Sequence, residues 1–413
     1  MNKVATSALQ VICAVFLAVH ATTAQTVATS NETRNERLAL KRELRDSMET
    51  LLRAAVNDSA FPGAFAIVGD SYGILAQASA GHVDWKKSPV PTAHTLWDLA
   101  SLTKVIGTTT ALAQLVERGA VDLDAPVQRY VPEWIGAGKE SVTVRHLLTH
   151  TSGLPAFRPY DTLTHNPDSL AAFLFNTELV RTVGDSMVYS DIGAFMMGQI
   201  VERVSGERLD RYFARHIFRP LGMRETMFNP PRELWARVAP TEYDTLRGGL
   251  VRGKVHDERA YYLGGVAAHA GLFSSAADLS RFATMLLLGG MLDSVRILRW
   301  NTLSRFTAYV DSTFSNRALG WQKPELPMMR FRSPSSSWAG QFMSREAFGH
   351  TGFTGTSIAV DPELDLYIIL LSNRVNPTRN NPRIGDVRSH LADAVVTIVR
   401  RRGATISAEV PGK

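Results

Sequence analysis

The sequence predicts an α+β protein made of a three-layer α/β/α lobe and a second, mainly helical lobe. Two β-like runs, GAFAIVGD and GILAQASAGHVD, lie near the start of the chain, and two more, FGHTGFTGTSIAVD and DLYIILLSNR, lie near its end. A mostly helical stretch, roughly 100–300, separates the two pairs. The most economical arrangement is one antiparallel sheet built from both chain ends, with the helical stretch as the second lobe.

Helical segments flank the predicted sheet on both sides. RLALKRELRDSMETLLRAAVND precedes the first strand, and DVRSHLADAVVTIVRRR closes the chain with apolar residues at helical spacing. These segments predict the outer layers of one domain over 41–405. We expect its α/β lobe to cover about 41–100 and 300–405, and its helical lobe about 101–299. The Pro- and Ser-rich segment 323–346 predicts a long loop.

The N-terminus predicts a secreted protein, with the periplasm as the expected compartment. In residues 1–24, Lys3 precedes a short apolar run, and Thr22-Thr-Ala24 forms a small-residue cleavage site. The apolar run is too short to span a bilayer, although a retained N-terminal anchor is the alternative interpretation. Residues 25–40 are polar and predict a flexible leader. The only cysteine, Cys13, lies in the predicted signal peptide, so the mature chain has no thiol.

Composition predicts a large hydrophobic core and argues against a nucleic-acid partner. Of the 413 residues, 45% are hydrophobic, and the net charge of +6 is spread along the chain rather than clustered. The sequence contains no phosphate-binding loop and no dinucleotide fingerprint, so we expect neither a cofactor nor a metal. We also expect no stable membrane insertion after signal cleavage, and the oligomeric state is left open.

The run Ser101-Leu-Thr-Lys104 is the strongest chemical signal in the chain. It opens a predicted helix, where positions three apart lie on the same face, so the serine hydroxyl and the lysine amine can meet. A serine hydroxyl is a weak nucleophile and needs an adjacent base, which a partly desolvated lysine can provide. A serine and a lysine at this spacing are common by chance. Two further motifs are what make a catalytic role for the pair the favoured interpretation.

Tyr189-Ser190-Asp191 opens a second amphipathic segment, and His350-Thr351-Gly352 begins a C-terminal β-run. A serine, a lysine, a tyrosine and a strand that carries a cation, a hydroxyl and a glycine form a complete set for acyl transfer. Glycine at 352 allows a substrate backbone to approach the strand edge closely.

Three other patterns have simpler interpretations. Gly69-Asp-Ser71-Tyr-Gly73 matches a nucleophile elbow, but a strand follows it, so it predicts a hairpin turn. His146 and His150 have the spacing of metal ligands but lack the accompanying glutamate, which favours structural roles. His256-Asp257 is interpreted as a loop hydrogen-bond pair, with a place at the edge of the cleft as the alternative.

The three motifs, in this order, resemble those of the penicillin-binding-protein and serine β-lactamase superfamily. LLTHTSGLP at 147–155 and GGVAAHAGLFSSAADLSRF at 264–282 are similar to the branch of class C β-lactamases, D-alanyl-D-alanine carboxypeptidases and esterases. The resemblance covers most of residues 45–400 and implies the β-lactamase/transpeptidase-like fold, with the active site between the lobes.

The resemblance also implies a role for each motif residue. Ser101 matches the acylated nucleophile, Lys104 the general base, and Tyr189 the residue that passes the proton to the leaving group. The backbone amides of Ser101 and Phe353 match the oxyanion hole. Asp191, His350, Thr351 and Gly352 match substrate-binding positions.

Two residues depart from the usual motifs of this superfamily. Asp191 replaces an asparagine, so its carboxylate could pair with Lys104 and keep it charged, or accept a donor from a different substrate. His350 replaces a lysine and is expected to be a weaker, pH-dependent cation for a substrate carboxylate. We therefore expect a secreted serine hydrolase that acts on a cell-wall peptide or a related amide or ester. The alternatives are a class C-like β-lactamase and a non-catalytic penicillin- or peptidoglycan-binding protein.

Overall fold

The computed structural model describes residues 34–86, 88–311, 315–325 and 338–408, without side chains for 403–408. The predicted signal peptide, Cys13, most of the predicted leader and the middle of the 323–346 segment lie outside the described residues. The described ends of that segment contain no helix or strand, as the sequence predicts for a loop.

A five-stranded antiparallel sheet joins the two ends of the chain, as predicted. Its strands, in order across the sheet, are β10 (Phe348–Thr351), β11 (Ser357–Asp361), β12 (Leu366–Ser372), β1 (Gly63–Asp70) and β2 (Gly73–Gly81). The register pairs Ala64 of β1 with Ser372 of β12. The turn between β1 and β2 is the predicted hairpin, closed by Gly73 with a φ of +119°. The strands are β1 Gly63–Asp70, β2 Gly73–Gly81, β3 Trp97–Asp98, β4 Met227–Phe228, β5 Tyr243–Asp244, β6 Gly249–Leu250, β7 Leu272–Ser274, β8 Met291–Leu292, β9 Val295–Arg296, β10 Phe348–Thr351, β11 Ser357–Asp361 and β12 Leu366–Ser372.

Helices cover both faces of this sheet and form most of the second lobe. The α-helices are α1 over 34–57, α2 Thr110–Glu117, α3 Val144–Leu148, α4 Pro167–Phe175, α5 Asp191–Ser205, α6 Leu209–Phe213, α7 Glu258–Tyr262, α8 Ala276–Leu287, α9 Trp300–Thr307 and α10 Ile384–Ala408. Single turns of π-helix run over Lys104–Thr109 and Ala214–Phe218. Short 3₁₀ turns run over Val127–Arg129, Lys139–Ser141, Tyr160–Thr162 and Arg232–Arg237.

The three layers follow from the alternation of buried side chains along β1. Ala66 and Val68 face a core shared with α1 and α10, whereas Phe65 and Ile67 face the larger core on the opposite side. Helix α8 packs on that opposite face, against β1, β11 and β12. The α+β class and its three-layer lobe are therefore confirmed.

The structure departs from the expected boundaries in three places. Helix α8, which we expected in the helical lobe, forms the second outer layer of the sheet. Its buried apolar side chains pack in the same core as those of one face of the sheet. Helix α9, which we expected in the α/β lobe, packs instead against α2. Residues 34–40, the end of the predicted flexible leader, already belong to α1, where Leu40 packs against the core.

Candidate active site

Ser101 is presented by a tight turn between strand β3 and the π-helical turn. Asp98, at the end of β3, accepts a 2.8 Å hydrogen bond from the amide of Ala100 and a 2.6 Å bond from the amide of His256. Ala100 has a φ of +46°, a conformation that a residue with a side chain adopts only when its surroundings hold it. The buried carboxylate thus positions the turn, although burial raises the pKa of Asp98.

Lys104 reaches Ser101 as the spacing predicts. Its Nζ lies 3.1 Å from Ser101 Oγ, 2.9 Å from the carbonyl oxygen of His269 and 2.8 Å from Asp191 Oδ1. The side chain is only 2% exposed. Three acceptors therefore surround the amine, which is the arrangement of an ammonium group that donates all three protons.

Electrostatics keep Lys104 protonated in the resting site. Burial alone would lower the pKa of Lys104, but the negative charge of Asp191, aided by Tyr189, outweighs burial and raises it. Lys104 and Asp191 thus form an ion pair in which the lysine side chain is buried and the aspartate side chain is 21% exposed. Of the two roles considered for Asp191, the structure shows the one in which the carboxylate pairs with the lysine.

Tyr189 lies at the centre of the predicted motif residues. Its ring centroid is 5.0 Å from Lys104 Nζ, and the rings of His150 and His350 lie 4.6 and 5.8 Å away. Its hydroxyl is buried and has no hydrogen-bond partner within the described part of the chain. The structure therefore brings the first, second and third motifs together around one phenol.

His350 is not the pH-dependent cation that the sequence predicts. It is 3% exposed, and burial, followed by the charges of Arg317 and Lys104, lowers its pKa to about 3. Its Nδ1 lies 2.9 Å from the carbonyl oxygen of Thr351. At neutral pH His350 is thus a neutral imidazole, because a third positive charge beside those of Arg317 and Lys104 would be buried without a partner.

Arg317 supplies the positive charge that His350 lacks. The guanidinium carbon lies 5.1 Å from the ring centroid of Tyr189, and the residue is 7% exposed. Its Nε and Nη1 atoms are buried and meet no hydrogen-bond acceptor among the described residues. No motif spacing points to this arginine, because it comes from an irregular segment and only the folded chain places it beside Tyr189.

The third motif packs directly against the turn that carries Ser101. Thr354 Oγ1 donates to the carbonyl oxygen of Asp98 at 2.6 Å, and Thr356 Oγ1 donates to that of Leu99 at 3.1 Å. A Cβ atom at Gly352 would overlap the Leu99 carbonyl oxygen, so this close approach requires glycine. Phe353 follows Gly352 and leaves its ring half-exposed beside the site.

Two arginines and an imidazole flank the exposed aromatic residues at the rim. The Arg374 guanidinium lies 4.3 Å from the centre of the Phe353 ring, and the ring of His256 stacks at 5.7 Å. The Arg259 guanidinium lies 5.6 Å from the Phe157 ring. His256 thus edges the site rather than serving only as a loop partner, while its Nε2 contacts Glu242 at 2.9 Å.

His146 has the structural role that its context predicts. The residue forms a capping box with Thr143 at the start of α3. His150 also has a structural contact, since its Nδ1 accepts a hydrogen bond from the amide of Ser190 at 3.1 Å, and its ring packs on Tyr189. Within the described ranges, no three His, Cys, Asp or Glu side chains are grouped as a metal site.

The family follows from comparison with known proteins. A family model described as Beta-lactamase matches residues 48–392. The chain belongs to the β-lactamase family. The predicted superfamily is thereby confirmed, and with it the assignment of the protein as a serine hydrolase.

Curated relatives of this β-lactamase-family chain are named as an amidase and a carboxypeptidase. It is 32% identical over 351 residues to an N-acetylmuramyl-L-alanine amidase of Bacillus subtilis (strain 168), a match that covers 76% of this chain and 77% of the relative. It is also 32% identical over 321 residues to a protein of Escherichia coli (strain K12) provisionally named a D-alanyl-D-alanine carboxypeptidase, covering 71% and 72%.

Solved structures show the same fold at low sequence identity. A penicillin-binding-protein homologue from Caulobacter crescentus aligns with a TM-score of 0.68 and 22% identity, over 86% of this chain and 97% of the other. EstCE1, a hydrolase with promiscuous acyltransferase activity, aligns with a TM-score of 0.68 and 20% identity, over 86% and 99%. In the described part of the protein, no helix has both the length and the apolar character needed to cross a membrane.

Proposed function

We propose that this serine hydrolase cleaves an amide bond in a peptidoglycan peptide through an acyl-enzyme on Ser101. The observation that carries the proposal is the 3.1 Å contact between Ser101 Oγ and the buried amine of Lys104. Nucleophile and base within hydrogen-bond reach, with the base oriented by a third group, is the arrangement that activates a serine. Asp191 is that third group here.

The residues divide the steps of acyl transfer among them. Lys104 first releases a proton to solvent water, and the neutral amine then accepts the proton of Ser101 as Oγ attacks the substrate carbonyl. Tyr189 passes the proton to the leaving nitrogen as the carbon–nitrogen bond breaks, and water then hydrolyses the ester on Ser101. The amides of Ser101 and Phe353, which donate to no described protein atom, hold the negative oxygen.

The charge in the site favours a substrate with a free carboxylate. Arg317 is a buried cation without a hydrogen-bonded anion among the described residues, and such a group is stabilised when a ligand supplies one. We assign the carboxylate to Arg317 and Thr351, with neutral His350 as a hydrogen-bonding partner and Gly352 at the substrate backbone. A released amino acid such as alanine carries this carboxylate next to the scissile amide.

The names of the two relatives give two amide bonds to compare, and both belong to peptidoglycan. One joins the lactyl group of N-acetylmuramic acid to L-alanine, and the other joins two D-alanines. A substrate with either bond is found outside the cytoplasm or among imported wall fragments. The predicted signal peptide favours the location outside the cytoplasm. We therefore propose a secreted, periplasmic enzyme.

The experiment incubates the mature chain with N-acetylmuramyl-L-alanine and, separately, with an N-acylated peptide that ends in D-alanyl-D-alanine. Alanine release is measured by mass spectrometry, with Ser101→Ala as the matched control. Release by the native chain alone supports the proposal and selects the bond. Rapid consumption of a labelled penicillin without either release would favour a β-lactamase. Equal release by both proteins would overturn the role of Ser101.

A further inference from the structure

Lys104 and Asp191 belong to a closed ring of five residues. Lys104 contacts Asp191 at 2.8 Å, Asp191 Oδ2 contacts Arg259 at 3.1 Å, and Arg259 contacts Asp257 Oδ2 at 3.2 Å. Asp257 Oδ1 then contacts His269 Nε2 at 3.0 Å. The carbonyl oxygen of His269 accepts from Lys104 Nζ at 2.9 Å, which closes the ring.

Arg259 occupies the position in this ring that decides how firmly Asp191 holds Lys104. One nitrogen, Nη2, donates to Asp191 and to Asp257, and the side chain is 13% exposed. Its Nη1 is buried and has no partner among the residues that the structure describes. Among the described residues, this guanidinium therefore donates hydrogen bonds to the carboxylates of Asp191 and Asp257.

A carboxylate with one cation stabilises that cation more than a carboxylate shared by two. Asp191 contacts Lys104 through Oδ1 and Arg259 through Oδ2, so the two cations divide its charge and also repel each other. With an asparagine in place of Asp191 no such sharing would be needed. We propose that Arg259 is a positioning residue that keeps Lys104 able to give up its proton and act as the base, despite the carboxylate of Asp191.

This inference rests on the proposed acyl-enzyme function. It concerns a proton on Lys104, so every charged or titratable group that faces Lys104 counts. Besides the ring members these groups are Tyr189, His150, His350 and Arg317. None of them contacts Arg259 through a hydrogen bond or an ion pair, so variants of Arg259 leave them in place.

The test is the pH dependence of kcat/KM for a chromogenic ester, p-nitrophenyl acetate, corrected by the Ser101→Ala blank. The acid limb of this profile reports the proton that Lys104 must lose in the free enzyme. In Arg259→Met, Asp191 pairs with Lys104 alone, so we expect the acid limb to move to higher pH by about one unit. At pH values below the limb, kcat/KM should therefore be about tenfold lower than in the native chain.

A second variant should move the acid limb in the opposite direction, and it keeps the proposal testable if the first variant fails to fold. Asp257→Asn frees Arg259 to serve Asp191 more fully, so the limb should move to lower pH, while the new asparagine side chain can still cap helix α7 in place of the carboxylate. Arg247→Met is the matched control, because Arg247 is a buried arginine that pairs with Asp244 outside the ring. We expect no shift in this variant.

The double variant Asp191→Asn/Arg259→Met completes the design. With the carboxylate gone, loss of Arg259 should raise the limb by less than it does in the native chain, because only the repulsion between the two cations is then removed. Lower kcat with unmoved limbs in both Arg259→Met and Asp257→Asn would overturn the proposal and leave Arg259 a structural residue. Failure of the acyl-enzyme function itself has a different signature, since the native chain would then show no Ser101-dependent turnover at any pH.

Discussion

Replacement of Asp191 by asparagine tests whether the carboxylate that pairs with Lys104 limits its use as a base. The two charges lie 2.8 Å apart, and Coulomb's law with an effective dielectric constant of about 20 gives an upper limit of about 6 kcal/mol. This is about four pKa units. Because Arg259 shares the carboxylate and the asparagine amide keeps a hydrogen-bond acceptor, we expect about half of that limit.

The acid limb of kcat/KM in Asp191→Asn should therefore lie about two pH units below that of the native chain, within the range of 1–3 units typical for loss of a contacting charge. The assay is Ser101-dependent ester hydrolysis between pH 5 and the alkaline limit of the protein's stability. Asp185→Asn, which changes an exposed carboxylate, is the control. An unmoved limb with turnover intact would refute Lys104 as the residue whose deprotonation allows acylation.

Two further predictions concern substrate choice and stability. Arg317→Met should raise KM about 10- to 100-fold for a peptide with a free C-terminal carboxylate and leave its methyl ester unchanged, as steady-state kinetics with the matched pair would show. Hydrogen bonds from His256 and Arg379 outweigh burial and lower the pKa of Glu242 to about 2. Its contribution to stability is complete above its unfolded pKa of about 4.3 and is lost as the pH falls towards 2, so Glu242→Gln should weaken the pH dependence of urea unfolding in that window.

The parts of the site that lie in short motifs could be predicted from the sequence. Ser101 and Lys104 share one helical turn, so their contact follows from spacing alone. The architecture was also predictable, since short apolar runs such as that of β1 predict strands near both ends of the chain. These features depend on neighbours in the chain, which is why a single sequence carries them.

The remaining features depend on residues far apart in the chain. Arg317 and Arg259 reach the site from segments with no motif, and nothing in their local sequence distinguishes them from surface arginines. The neutrality of His350 results from burial beside other cations, which spacing does not encode. The sequence predicts only a loop hydrogen-bond role for Asp257. Its contact with Arg259 could not be predicted, because only the fold brings the two side chains together.

The pairing of β1 with β12 has a consequence for how this enzyme comes into being. Strand β1 lies beside the central strand β12 and gains this partner only when a segment roughly 300 residues downstream has been made, because Ala64 pairs with Ser372. Contacts of such long range are slow to form, and until then β1 offers an unpaired edge on which chains can aggregate. Synthesis of β1 and completion of the sheet are thus separated in time, because this edge of β1 stays unpaired until β12 has been made.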